Sequence, residues 1–389
     1  MSFRSLLRFA AAAALLTPAL AHTWVEQLQL INPDTGNYTG DFGYPRGYVS
    51  RTNPGFNGFS NMLLLPPLES GRTRIDNTDL LCHPAQRVAN QTDNFPALKA
   101  TPGSWVAIKY LENGHVTLPN NQKGKPESGG TVYIFGTTEP KADEKIVDVL
   151  AWTKDGKGGD GRGRLLTAQN YDDGRCYQIN GGDISTKRQK DFPNRIPGQP
   201  ESVVEQWCEA DVQVPEGLDA GKTLTVYYIW DWPTIPGQDP ILQNGKDEFY
   251  TTCMDINLSD VKIASAGGGA AKFKLDQQDP QVDAVANFMS RTAVSGTYSP
   301  RSTGYVTETN KSSSANANRQ GGQIATAAPA PSTLATSARP SSCQQATVTV
   351  TAHVTHTVYA KPSKRNRGNE SQRTEQGRQK RDHAKDFTS

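Results

Sequence analysis

The residue with the most chemical promise is a histidine at a cleavage site. His22 directly follows Ala19-Leu20-Ala21, a small-x-small signal for leader removal. The segment before it has a basic start, Arg4 and Arg8, and a short apolar run from Phe9 to Leu16. Cleavage after Ala21 leaves an α-amine and an imidazole on one residue, two nitrogen donors joined by a backbone path short enough to chelate one metal. Amine and imidazole nitrogens suit Cu(II), which sits high in the affinity order of divalent metals. The amine has a reference pKa of about 8, so the metal displaces its proton near neutral pH.

A third nitrogen is needed, and only six of the 389 residues are histidine. The stretch that reads as globular offers two more, His83 and His115. His83 lies between Cys82 and Pro84, in a turn. His115 lies in Glu112-Asn113-Gly114-His115-Val116-Thr117-Leu118-Pro119, just after an apolar run. A loop leaving a strand can swing an imidazole to the chain start, so His115 is the expected third donor. His353 and His356 lie in a Thr/Val stretch and read as tail.

These donors need strands to hold them. Trp105–Tyr110, Thr131–Gly136, Leu224–Trp230 and Glu248–Leu258 are β-branched and aromatic runs and are predicted strands. Between them lie stretches dense in Gly, Asn, Asp and Pro, such as 155–163 and 181–200, which read as loops. Long helical periodicity is missing. The expected fold is all-β, an immunoglobulin-like β-sandwich with long loops, followed by a disordered C-terminal tail. The expected divisions are a signal peptide at 1–21, a copper-binding domain at 22–260, a Gly/Ser/Thr/Pro-rich linker at 261–345, and the Thr/Val stretch with a basic tail at 346–389. One short helix is expected within 276–300.

Charge and cysteine usage narrow the class. The chain carries +2, but residues 361–389 hold nine Lys/Arg against four Asp/Glu and the leader holds two Arg. The body between is therefore acidic, near −5, which argues against a nucleic-acid partner. No apolar run is long enough to span a membrane. Four cysteines, Cys82, Cys176, Cys208 and Cys253, fall in the domain and suggest two disulfides, with three pairings open. Cys343 falls in low-complexity sequence. Sequons at Asn37, Asn90 and Asn257 fit a secreted glycoprotein, extracellular or in the cell wall, and a monomer is expected.

The chain resembles the lytic polysaccharide monooxygenases and their histidine-brace copper relatives. The resemblance rests on a leader cut before histidine, a second histidine on a mid-chain loop, and a late Q-x-Y motif followed by cysteine, here Glu248-Phe249-Tyr250-Thr251-Thr252-Cys253. It covers roughly 22–258 by motif order. The opening His22-Thr23-Trp24-Val25-Glu26-Gln27-Leu28 also resembles a group of fungal secreted proteins without assigned function. The resemblance implies copper held by His22 and His115 with Tyr250 axial, and Glu248 in place of the family's glutamine beside the axial face. It implies a Cys82–Cys253 pair, which leaves Cys176–Cys208. It also implies a polysaccharide substrate and an external electron donor. Two departures stand out. Glu248 adds a possible negative charge, and no histidine occurs between His115 and His353, where many members carry one; Asp231 or Glu248 are candidate substitutes. Tyr44, Tyr48, Phe56 and Phe59 either stack on sugar rings or close a loop-rich core. The expected function is oxidative action on polysaccharide. The alternatives are copper binding without cleavage, or a structural cell-wall glycoprotein.

Overall fold

The computed structural model describes residues 22–121, 123–196, 198–199, 201–260 and 279–291. The leader, the expected tail at 346–389, and all of the expected linker except 279–291 lie outside them. Ten strands form among the described residues: β1 (Val25–Ile31), β2 (Tyr38–Gly43), β3 (Leu63–Leu65), β4 (Leu98–Ala100), β5 (Trp105–Tyr110), β6 (Thr131–Thr137), β7 (Gly163–Asn170), β8 (Cys208–Gln213), β9 (Thr223–Asp231) and β10 (Phe249–Leu258). Two short helices accompany them, α1 (Ile146–Leu150) and α2 (Asp183–Asp191). One sheet has the order β2-β1-β5-β8. The other has the order β3-β10-β9-β6-β7, with β4 parallel to the far end of β10. The protein is an all-β sandwich.

β9 and β10 are rich in large apolar residues because both of their faces are covered over most of their length. On β9, Leu224, Val226, Tyr228 and Trp230 point into the space between the sheets. The alternate residues Tyr227 and Ile229 point outward, under a second apolar layer built by α1, Leu81 and Trp152. On β10, Tyr250, Met254 and Ile256 face inward and Phe249 and Cys253 outward. Cys253 is bonded to Cys82 in that outer layer, and Cys176 to Cys208. The loops closed span 171 and 32 residues, which in a chain-entropy account stabilises the fold by about 4–5 kcal/mol each. Two disulfides fit maturation in an oxidising compartment. Among the described residues no helix is long and apolar enough to cross a membrane.

The outer face of the four-stranded sheet is covered too, by residues expected in the linker. Ala284, Val285 and Phe288 pack on Ile31, Tyr38 and Ala107. Lys109, buried on β5, bonds Asp279 at 2.9 Å and Gln29 at 3.0 Å, with its ammonium 3.5 Å from the Tyr38 ring centre. Arg291 reaches across to the carbonyls of Glu209 and Asn170. Burial raises the Glu209 carboxyl above its ordinary range, against the opposing pull of Arg175. Residues 279–291 are thus a strap on the fold. Where a short helix was expected, 286–290 form a turn. A second difference is α2, which falls in the stretch read as loop. It is polar on nearly all sides, so periodicity could not show it. Arg188 pins it to Asp172 at 2.7 and 2.8 Å, and Ser185 to the Gln178 carbonyl at 2.5 Å.

Candidate metal centre

The start of the domain is held by strand pairing. β1 runs antiparallel to β5, with Val25 opposite Tyr110. Residues just before β1 therefore lie beside the loop that leaves β5. The Thr23 hydroxyl donates to the Leu111 carbonyl at 2.8 Å, and the Asn113 side-chain amide donates to the carbonyl of His22. Thr23 and Trp24 are buried, whereas His22 is half-buried. The loop itself turns through two left-handed residues, Asn113 (φ 49°) and Gly114 (φ 81°). Asparagine and glycine tolerate that region best. His115 follows, its amide donating to the Glu112 carbonyl at 2.9 Å.

Glu112 fixes this loop. Its buried carboxylate accepts from the amides of Val116 (2.7 Å), Thr117 (3.3 Å) and Gln178 (2.7 Å), and from the Thr117 hydroxyl. Replacing Glu112 by alanine strands two buried amide donors, Val116 and Thr117, each at about 1–3 kcal/mol, and the half-buried amide of Gln178. The expected result is a melting temperature lowered by several degrees and lost hydrogen-exchange protection over 112–118. Wild-type protection in that loop would show that the carboxylate does not hold it.

His115 lies against an indole wall. Its ring centre is 4.5 Å from Trp232 and 5.1 Å from Trp230. Trp230 also touches Tyr250 at 4.9 Å, so one indole contacts both His115 and Tyr250. The His22 and Phe59 rings meet edge to face, their centres 4.6 Å apart. Gly58 leaves room for that ring, since a Cβ there would sit 2.8 Å from its Cδ2. The 50s loop is tied down by Glu26, whose buried carboxylate bonds Arg51 and the Tyr48 hydroxyl. Arg51 in turn lies 4.5 Å over the Trp24 ring. Tyr44 and Tyr48 are buried and belong to the core, while Phe59 is 41 % exposed.

Below the indoles, the Tyr250 hydroxyl donates to Glu248 at 2.6 Å. Burial first, and Glu248 second, push the phenol well above its ordinary pKa, so it stays protonated. The other carboxylate oxygen of Glu248 meets Lys125 at 2.7 Å. Lys125 also donates to the Trp232 carbonyl at 3.0 Å and lies 4.0 Å over its ring. Burial pulls the Lys125 ammonium down while Glu248 pulls it up. The negative charge that Glu248 adds is therefore met by a cation. Lys125 and Glu112 were not legible as site residues. The lysine's partner is 123 residues away, and no local spacing marks the pair.

The remaining candidates lie as follows. Asp231 is buried at the end of β9, opposite Thr131 and Phe249. His83 caps a short turn, its Nδ1 accepting from the Ala85 amide at 3.2 Å, and burial lowers its pKa. Asn37, Asn90 and Asn257 are exposed. Among the described residues the one cluster of three or more potential ligand side chains is Asp173, Cys176 and Cys208. Both its sulfurs are consumed in a disulfide.

A family model described as a domain of unknown function (DUF7492) matches residues 19–286. No curated protein matches the chain. Among solved structures, a cellulose-active polysaccharide monooxygenase from M. thermophila overlaps 61% of this chain and 78% of its own, at 13% identity and a TM-score of 0.27. The protein named CvAA9A overlaps 66% of this chain and 86% of its own, at 11% identity and a TM-score of 0.26.

Proposed function

The chain belongs to the DUF7492 family, a domain of unknown function, and from its own residues we propose that it is a secreted copper protein acting oxidatively on polysaccharide. One observation carries the reading: the carbonyl of His22 is clasped by Asn113, two residues before His115. Once the leader is removed, the His22 amine and imidazole and the His115 imidazole would hold the metal, and the neutral Tyr250 phenol would be a further, weak donor. The donor chemistry fits Cu(II), and Gly58 supplies a cradle that a larger side chain would fill. Copper in such a site supplies one-electron redox chemistry toward oxygen or peroxide, the oxidant for hydrogen abstraction at a glycosidic carbon.

The chain's own part is to bind and orient. Trp230 and Trp232 wall off His115 from one side, and the Lys125–Glu248 pair keeps the region below charge-balanced. Phe59, exposed beside His22, offers an apolar face on which a sugar ring can lie. Asp231 and Glu248 are the acids nearest in sequence to the indole and phenol groups. A second reading, copper capture without cleavage, is favoured by the lack of any histidine between His115 and His353.

Protein secreted with its native leader is expected to begin at His22 and to bind one Cu(II). The same chain with one extra residue before His22 should lose the amine donor and most of its affinity. Equal copper titrations for the two would sink the reading. With a reductant, oxidised oligosaccharides released from a polysaccharide separate cleavage from capture.

A further inference from the structure

At the opposite end of β10 from Tyr250 lies a cavity of about 440 Å³, within the range of pockets that bury small ligands, about 300–1,000 Å³. Seven residues separate Tyr250 from Asn257, or roughly 23 Å at about 3.3 Å per residue, so the cavity is remote from the candidate metal centre. Its floor is buried and polar. Arg46 bonds Asp255 through two nitrogens, at 2.8 and 2.6 Å, and the Thr225 hydroxyl at 2.9 Å. Its rim carries two of the three described sequon asparagines, Asn90 and Asn257, both exposed.

Asn257 is rigidly placed. It sits on β10 between Lys99 of β4 and Thr223 of β9. The Thr223 hydroxyl donates to its Oδ1 at 3.1 Å. The amide nitrogen, the atom that carries an N-glycan, is left with no protein partner among the described residues. Gln91, beside Asn90 in the wall, has a buried side-chain amide whose oxygen and nitrogen both lack a partner among the described residues. An unpaired buried amide is costly, and a rotation toward an occupant of the cavity would remove that cost.

We propose that Asn257 is N-glycosylated and that the proximal sugars of its glycan lie in this cavity. The bond forms when the amide nitrogen displaces a lipid diphosphate from a lipid-linked oligosaccharide. The nitrogen loses one proton, and the diphosphate leaves with the bonding pair. A flexible glycan on an exposed loop would sample solvent. One attached to a strand held on both sides starts from a fixed point at the cavity mouth. Sugar hydroxyls and acetamide groups find hydrogen-bonding partners on this wall.

The test uses the full chain secreted from a glycosylating host, with glycopeptide masses read at each sequon. Release of the Asn257 glycan by an endoglycosidase is timed on native and on denatured protein. Release at least tenfold slower from the native protein is expected. An unmodified Asn257, or a glycan released equally fast in both states, would overturn the proposal. Protection of a glycan at Asn90 with ready release at Asn257 would overturn it as well, by moving the seat to the other rim. None of these outcomes depends on copper.

Discussion

Replacing His115 by alanine is expected to lower affinity for Cu(II) by more than ~100-fold. Changes to groups that merely orient a metal-bound histidine already cost about 10–100-fold, and a ligand itself carries more. No other histidine of the described residues offers a replacement on this loop. The Cu(II) spectrum should lose its tetragonal nitrogen character, which a titration followed by paramagnetic resonance reads directly. Two controls sharpen the result. His83→Ala should leave affinity unchanged, because that imidazole caps a turn through Nδ1. Tyr250→Phe should alter the spectrum only slightly, because the phenol is held protonated on Glu248 and a neutral phenol is a weak ligand. Wild-type affinity in His115→Ala with loss in His83→Ala would assign the wrong histidine to the site. No effect from either would favour a structural role without metal.

Asp279→Ala is expected to destabilise the fold by about 3–5 kcal/mol, because it leaves the Lys109 ammonium buried without its counter-charge. Both side chains are 2 % exposed or less, so water cannot replace the lost partner. The same reasoning makes a contrast. Lys109→Met combined with Asp279→Leu removes both charges and should recover most of the loss, since a buried ion pair exchanged for apolar groups is often near neutral. Urea unfolding of the two variants checks the pair. Equal midpoints for Asp279→Ala and wild type would mean that the strap is not docked in solution. A chain ending at Asp260 should likewise unfold at lower urea than one ending at Arg291, because the first leaves the Ile31–Tyr38–Ala107 face uncovered.

The contrast between β9 and β8 explains what could be seen in the sequence. β9 and β10 are covered on both faces over most of their length, so large aromatic and aliphatic residues dominate them and they stand out. β8 is just as buried, but its outward residues are Glu209 and Asp211. Their buried environment is completed by Arg175 and Arg291, at positions far along the chain. A strand whose partners are ions from distant segments has no local signature, and neither has the strap that supplies one of them. β3 and β4, three residues each, are too short for a pattern. At the candidate site the same division holds. His22 and His115 were legible because nitrogen donors are rare and one of them abuts a cleavage signal. Tyr250 and Glu248 were legible from a motif. The Lys125 counter-charge, the Glu112 staple and the cradle at Gly58 exist only once distant residues meet.

The burial of Thr23 and Trp24 bears on how long a chain cut before His22 would keep its first residue. An aminopeptidase must draw an extended end into its own cleft, and here Thr23 and Trp24, directly behind His22, are buried. Thr23 is tied to Leu111, and the amide of Val25 to the Thr252 hydroxyl at 3.3 Å. Stepwise trimming would require the edge of the sandwich to open first, so the lifetime of an end at His22 would be set by local unfolding rather than by protease abundance.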